Sequence, residues 1–331
     1  MKKTGQMSFS DAEMSLKKKQ TRREQFLSQL DTLVPWSDLL ALIAPHYATS
    51  GRRGRQPIGL TVMLRIHLVQ LAYNYSDPAM EDALIEVTSI RQFCRIGIDE
   101  VPDETTILNF RHLLEHHGLA RPLFDAINAR LAQRGLFLKT GTIVDASLIA
   151  APSSTKNTEG KRDEAMHQSK KGNQYYFGGK VHIGVDEGPA GLVHTVDFTA
   201  GNVADITQTH QLLHGAEDHL IGDAGYIGLE KRSEMQGKAI TCLISPRPGT
   251  LRKLTALGGE VAELYQAICH QIASRRAKVE HVFRDLKIRF GYSKVRYRGI
   301  AKNKARFILL AGLSNLFRAR NYERRQGMIA S

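Results

Sequence analysis

The amino-acid sequence predicts an α/β fold, a mixed β-sheet flanked by helices, preceded by an all-helical domain. Two observations support this prediction. Residues 60–118 carry apolar side chains at helical spacing, as in "LTVMLRIHLVQLAYNY". From "KTGTIVDASLIAA", at residues 139–151, the sequence becomes β-rich and then alternates between strands and helices. A chain of 331 residues is long enough for two domains with cores of their own.

The chain is strongly basic, with a net charge of +13 and an isoelectric point near 9.7. This excess predicts a polyanionic partner, most commonly nucleic acid, and a basic but ordinary enzyme is the alternative. No membrane-length apolar stretch and no signal-peptide core occur, so we expect a cytoplasmic protein. Three scattered cysteines, Cys94, Cys242 and Cys269, have neither redox nor zinc spacing and are expected to be reduced core thiols.

The N-terminal part divides into a predicted basic flexible arm, residues 1–23, and a helical domain, residues 24–120, that is expected to bind DNA. Its short helices and tight turns suit a helix-turn-helix-like module, although any small helical domain has a similar pattern. The basic segment "TSGRRGRQP" contains Arg52, Arg53 and Arg55, with few apolar neighbours. It is either a solvated loop or a short arm that lies on phosphates or in a minor groove.

The next part, residues 121–300, is the predicted catalytic domain, and residues 301–331 form a predicted C-terminal helix. Its elements follow the order β-β-β-α-β-α-β-α, with a short helix over 229–236 and a long one over 260–288. Three antiparallel strands followed by parallel strands with helical crossovers are the strand order of a ribonuclease H-like fold. The polar segment "PSSTKNTEGKRDEAMHQSKKGNQ" is either a disordered loop or a loop that contacts substrate.

Two aspartates stand where this topology brings strands together. Asp145 lies within the first strand, "GTIVDASLI", and Asp223 ends a later strand, "HLIGDAGY". In the predicted layout the first and fourth strands are neighbours, so the two carboxylates can meet at one edge of the sheet. Side by side they repel each other, and a divalent cation removes that repulsion.

A third acid lies on the long helix, in "SRRAKVEHVFRDLKIRFG". Arg276, Glu280, Arg284 and Lys287 share one stripe of a helical wheel, beside an apolar stripe that can pack on the sheet. The simpler interpretation is a surface helix with ion pairs along it. Together with the two aspartates, however, Glu280 gives an oxygen-rich site suited to Mg²⁺ or Mn²⁺.

Such a site favours phosphodiester chemistry. Two divalent ions about 3.5–4 Å apart can activate water or a 3′-hydroxyl and stabilise the leaving oxygen. Arg276 and Lys287 are then expected to flank the scissile phosphate as catalytic cations. The predicted DNA contacts are basic residues along both parts of the chain: Arg52, Arg53, Arg55, Arg111, Lys170, Lys171, Lys180 and Arg284.

At these motifs the chain resembles the DDE transposases of bacterial insertion sequences. Arg276, Glu280 and Lys287 match the Arg, Glu and Lys of the Tyr-Arg-Glu-Lys signature, and "VDAS" and "GDAGY" resemble the two aspartate motifs. The resemblance is especially close to the insertion sequence five group and runs from "QTRREQFL" to "NLFRARN". One position departs from the pattern, because the signature's tyrosine falls at Ala273.

The resemblance implies a transposase that binds terminal inverted repeats, cleaves at the ends and joins the 3′-hydroxyl to target DNA. It also implies Mg²⁺ or Mn²⁺, two ions, at Asp145, Asp223 and Glu280, and at least a homodimer on double-stranded DNA in the bacterial nucleoid. Two alternatives remain at this point. One is a ribonuclease H-like nuclease without strand transfer, and the other is a non-catalytic, transposase-derived DNA-binding regulator.

Overall fold

The computed structural model describes residues 19–48, 56–158 and 160–329, with the side chain of Lys171 left out. These residues fall into two compact units that divide between Leu119 and Ala120. Within the described ranges, no helix is both long and apolar enough to cross a membrane.

The first unit is helical. Its helices are α1 (Arg22–Leu33), α2 (Trp36–Ile43), α3 (Leu60–Tyr73), α4 (Asp77–Glu86), α5 (Thr88–Cys94) and α6 (Glu104–His116). Helix α3 forms the centre, because its residues 63–72 are all buried. The pattern of "DPAMEDALIEVTSIRQF" predicts one helix, but the chain leaves helical geometry at Val87 and a second helix begins at Thr88. Arg91 stabilises this break by donating to the carbonyls of Leu84 and Ile85.

The second unit begins with α7 (Ala120–Gln133) and contains a six-stranded mixed sheet. The strands are β1 (Gly141–Ala150), β2 (His167–Lys171), β3 (Gln174–Asp186), β4 (Val193–Ala200), β5 (His219–Gly222) and β6 (Thr241–Ile244). The path of the sheet is β2-β3-β1-β5-β6, and β4 pairs with β3 as well. The pairs of β3 with β1, β2 and β4 are antiparallel, whereas β1 with β5 and β5 with β6 are parallel.

Strand β2 lies within the Lys-rich segment, whose sequence suggested a loop. His167 pairs with Gly178 and Lys171 with Gln174, so the end of this segment is half of a hairpin with β3. The alternation of polar residues on an exposed edge strand carries little signal, because such a strand has no buried face to make its apolar residues periodic. The predicted helix over 229–236 is likewise two short 3₁₀ turns, Leu229–Lys231 and Ser233–Met235.

The remaining helices are α8 (Asp205–Leu212), α9 (Pro248–Ala256), α10 (Gly259–Arg284) and α11 (Ile300–Arg325). Helix α10 is mostly exposed over its first four turns and buries Val279 and Val282 near its end. It continues into a π-helical turn, Asp285–Arg289, that buries Leu286. Helix α11 is buried along most of its length, where it packs on α7 and β4.

Candidate active site

The two predicted aspartates lie next to each other at the junction of β1 and β5. Ile143 pairs with Ile221 in the parallel ladder, and the same register, continued two residues further, sets Asp145 opposite Asp223. Asp145 is in the interior of β1, whereas Asp223 follows the last residue of the short strand β5. The sheet topology therefore brings together two carboxylates that are 78 positions apart in the sequence, the same separation as in every pair of the β1–β5 ladder.

The geometry at Asp223 depends on the small residues around it. Asp223 caps the 3₁₀ turn Ala224–Tyr226, and its Oδ1 accepts a 2.8 Å hydrogen bond from the backbone N–H of Gly225. A Cβ on residue 225 would stand 2.9 Å from that same oxygen, so glycine permits the close approach. One carboxylate oxygen is thus fixed by the turn.

Asp145 is harder to ionise than an ordinary aspartate. Burial raises its pKa to about 6, and the nearby Asp223 carboxylate adds to the rise. The Arg276 guanidinium and the backbone N–H of Ala146 act in the opposite direction and do not compensate fully. A buried carboxylate whose pKa is raised in this way is stabilised in its charged form by a cation beside it.

Arg276 is such a cation. Its Nη2 lies 3.1 Å from Asp145 Oδ2, and its Nη1 lies 3.8 Å from Glu280 Oε1, one helical turn further along α10. The structure therefore links Glu280 to Asp145 through Arg276 and does not join the three carboxylates directly. The Glu280 side chain is 66% exposed, whereas that of Asp145 is 15% exposed.

Lys287 reaches the same strand from the π-helical turn. Its Nζ donates a 2.8 Å hydrogen bond to the carbonyl of Leu148, three residues beyond Asp145 on β1. The chain after this turn also returns to β1, since the N–H of Ala150 donates to Ser293 and Val295 donates to Ala150. Arg276 and Lys287 thus lie along one strand from Asp145 toward its end.

Comparison of the sequence with models of protein families assigns the chain to a family. Residues 136–316, more than half of the chain, match the model of the Transposase DDE domain. The chain belongs to the DDE transposase family. Residues 14–113 match a second model, Transposase domain (DUF772), which covers the helical unit. No solved structure matches the chain.

Tyr226 lies near the two aspartates of the candidate site and ends the motif "GDAGY", but sequence reasoning did not single it out. Its ring is buried in a cluster with Val144 and Leu220, and its hydroxyl has no hydrogen-bond partner among the described residues. Burial raises its pKa well above the usual value, and the carboxylates of Asp145, Asp205 and Asp223 add to this. The neutral hydroxyl therefore remains a proton donor. Ala273, at the signature's tyrosine position, is an exposed residue of α10.

The predicted DNA contacts of the transposase have different locations. Arg52, Arg53 and Arg55 lie outside the described residues, as does the side chain of Lys171. Lys170 is exposed on β2, with its Nζ 5.6 Å from the centre of the Tyr175 ring. Arg284 is exposed near the end of α10.

Two of these predictions need correction, because the side chains are engaged inside the fold. Arg111 is buried and forms ion pairs with Asp77 at 2.8 Å and with Glu115 at 3.1 Å. Lys180 donates to Asp205 at 2.8 Å and to the carbonyl of Val203 at 2.8 Å. These contacts hold each side chain against partners within its own unit.

A separate cluster in the transposase has donor atoms close enough to hold a metal ion: His194, His214 and Glu217, all within 4.8 Å of one another. The Glu217 carboxylate already accepts from the N–H groups of His214 and Gly215 and from the hydroxyl of Thr142. Burial lowers the pKa of His194 to about 3, so this imidazole is neutral. The cluster has no member in common with the three acids.

Proposed function

We propose that this chain is an insertion-sequence transposase that binds terminal inverted repeats, cleaves at the element's ends and joins the freed 3′-hydroxyl to target DNA. The single observation that carries this proposal is the register of β1 and β5, which sets Asp145 beside Asp223 in a chain of the DDE transposase family. The finer assignment to the Tyr-Arg-Glu-Lys branch of the insertion sequence five group rests on Arg276, Glu280 and Lys287.

We infer a ribonuclease H-like fold for the second unit. Without the short strand β2, the strands lie in the order β4-β3-β1-β5-β6. The first three strands in sequence are antiparallel neighbours, and the last two add in parallel on the other side of β1. This order supports the inference, as does the position of the aspartates on the central strand and on its parallel neighbour.

The residues present fit divalent metal ions. Asp145, Asp223 and Glu280 offer only carboxylate oxygens, which Mg²⁺ and Mn²⁺ prefer, and the raised pKa of Asp145 reflects a site that gains from added positive charge. Two ions there supply activation of the attacking hydroxyl and charge stabilisation at the leaving oxygen. The three acids are the proposed ligands.

The other residues of the site position groups and supply charge. Arg276 orients the Asp145 carboxylate and holds Glu280 near it, and its fork can bind a phosphate through two parallel hydrogen bonds. Lys287 fixes the π-helical turn to β1 through the Leu148 carbonyl and adds a second cation on the same side. The buried Tyr226 hydroxyl stays protonated under the influence of the nearby aspartates and can donate a hydrogen bond.

The remaining parts of the proposal concern DNA and assembly. The helical unit, matched by the second transposase model, is the proposed reader of the inverted repeats. Arg52, Arg53, Arg55, Lys170 and Lys171 remain proposed DNA contacts. Two DNA ends must be brought together, so we propose at least a homodimer on DNA in the bacterial cytoplasm, at the nucleoid.

A strand-transfer assay tests the function. The full-length chain is incubated with Mg²⁺, labelled duplexes that carry the element's end sequences, and a supercoiled target plasmid. The proposal expects nicked ends and labelled plasmid, and both products should disappear in Asp145→Asn and Asp223→Asn. Asp125→Asn is the matched control, because Asp125 is half-exposed on α7 and, within the described part of the chain, forms its ion pair with Arg121 on its own helix. Cleavage without joining would indicate a nuclease, and binding without cleavage would indicate a regulator.

A further inference from the structure

A basic groove lies on another side of the second unit. It has a volume of about 350 Å³ between the end of α10, the π-helical turn, the β3–β4 turn and the end of α11. Six basic side chains line it: Lys278, His281, Arg284, Arg289, Arg318 and Arg325. Among the residues that the structure describes, Asp285 is the only acidic one that lines it. The groove is therefore a concentrated positive region.

The two least exposed cations of the groove are held by neutral groups. Lys278 Nζ donates to the carbonyl of Glu187 at 2.5 Å. Arg318 donates to the carbonyls of Gly191 and Ala190, both at 2.9 Å. A carbonyl satisfies a hydrogen-bond donor but cancels no charge. These bonds fix the two side chains in place. The Glu187 and Asp186 carboxylates act on Lys278, and the Asp285 carboxylate acts on Arg318, so part of this positive charge is offset.

The exposed cations of the groove differ in how far a carboxylate offsets their charge. Asp285 lies 3.5 Å from Arg289 and accepts a hydrogen bond from Ser314, so its charge is already shared. In the part of the chain that the structure describes, no ion pair engages Arg284 or Arg325. An excess of guanidinium groups on an open surface matches the spacing and charge of phosphates.

The groove and the acids use different sides of the same helix. Lys278 and His281 lie two and one residues from Arg276 and Glu280 on α10, and each residue of an α-helix turns by about 100°. Arg276 faces Asp145, and Lys278, two residues on, points to nearly the opposite side. A phosphate bound at Lys278 is therefore a different phosphate from one beside the acids. Arg284, four residues after Glu280, lies at the border between the two sides.

We propose that this groove binds the sugar-phosphate backbone of duplex DNA away from the phosphate that reacts. The proposal rests on the proposed function in so far as DNA is the substrate. Arg284 was predicted to contact DNA from the stripe that carries Arg276 and Glu280. The groove proposal instead places its DNA contact in the groove, together with that of Arg325. Bonds to phosphates carry no sequence information, so the groove binds duplex of any sequence.

The salt dependence of DNA binding tests the groove. Fluorescence anisotropy measures binding of the full-length chain to a random-sequence duplex of about 20 base pairs, in EDTA so that no metal-dependent step contributes. Each phosphate contact adds about 0.9 to the slope of log K against log salt. Arg284→Gln with Arg325→Gln should therefore lower that slope by about 2.

The matched control is Arg130→Gln with Arg320→Gln, which removes the same charge from α7 and α11 outside the groove. It should lower the slope by less than 1. Equal slopes in the two double variants, with unchanged melting temperatures, would overturn the groove proposal and leave the transposase proposal standing. A wild-type chain that binds neither random nor end duplex at low salt would overturn both.

Discussion

The two sides of the last turns of α10 differ in the groups that their cations contact. On one side, Arg276 lies between two carboxylates, Asp145 and Glu280. On the other side, Lys278 donates to a carbonyl, and the nearby Arg318 does the same. The first side holds opposite charges in balance, and the second concentrates charge of one sign.

This difference indicates two kinds of DNA contact. A site that makes and breaks bonds must position acids, metal ions and cations together, since charge moves during the reaction. A site that only holds a backbone needs an excess of positive charge and little else. Four predictions can break or sharpen this comparison.

The largest effect is expected at Asp145. Asp145→Asn keeps the shape of the side chain but removes the charge, so cleavage should fall by at least roughly 10²–10³-fold, the loss typical of removing one charge-stabilising group. Random-duplex binding should keep the wild-type salt slope, because the groove is intact. Single-turnover cleavage and anisotropy on the same preparation measure the two effects. Loss of both together would show that the two sides are not independent.

The second prediction concerns His182, a buried histidine on β3 that pairs with Ala146, the residue after Asp145. Burial lowers the pKa of His182 to about 4 despite the carboxylates of Asp205 and Asp197 nearby. The folded pKa lies below the unfolded value of about 6.5, so the unfolded chain binds the proton more readily. Stability should thus be full above pH 6.5 and fall by about 2 kcal/mol between pH 7 and pH 5 from this group. His182→Gln should lose less stability than wild type over that interval in urea titrations.

The third prediction tests the balance at Arg276. Arg276→Gln removes the guanidinium that lowers the pKa of Asp145, so in metal-free protein that pKa should rise above about 6. Carbon-13 NMR of the carboxyl group measures this directly. The unfolding free energy should fall by about 1–3 kcal/mol, between the values for exposed and buried pairs. Arg121→Gln, whose ion pair is exposed, is the control and should change little. An unchanged Asp145 pKa would contradict the proposed balance.

The smallest effect is expected in the groove. Asp285→Asn removes its one carboxylate, so random duplex should bind more tightly, by about 3–5-fold at low salt, consistent with roughly 1 kcal/mol for one charge partly screened by solvent. Asp125→Asn, outside the groove, sets the background for loss of one negative charge. Weaker binding by Asp285→Asn would mean that Asp285 orients Arg289 for DNA rather than competing with it.

Much of the fold could be predicted, because buried positions place apolar residues at regular intervals in the sequence. Apolar spacing located α3, α6 and α10, and the crossover order correctly made β1 and β5 neighbours. The interruption at Val87 and the strand β2 were missed. Both depend on partners distant in sequence or on an exposed edge, where local patterns are weak.

The candidate site, too, could be predicted only in part. Helical spacing predicted that Arg276 and Glu280 share a stripe, and their ion pair agrees with this. Residue spacing could not predict that the Glu280 side chain is largely exposed, since its exposure depends on how α10 packs against the sheet. Spacing also could not distinguish Arg111, which forms a buried ion pair with Asp77, from an arginine exposed on the surface. The groove was missed because α10, the β3–β4 turn and α11 meet only in the folded chain, although "NYERR" marks a basic end of α11.

The π-helical turn Asp285–Arg289 makes the length of this segment as important as its composition. A π turn holds one residue more than an α turn, and so it shifts the phase of everything that follows. Adding one further residue, for example after the exposed Ile288, would rotate the chain beyond it by about 100°. Phe290, now 1% exposed, would leave the core, and Arg289 would turn away from the groove. Homologous chains that contain this turn are therefore expected to tolerate substitutions within it far better than insertions.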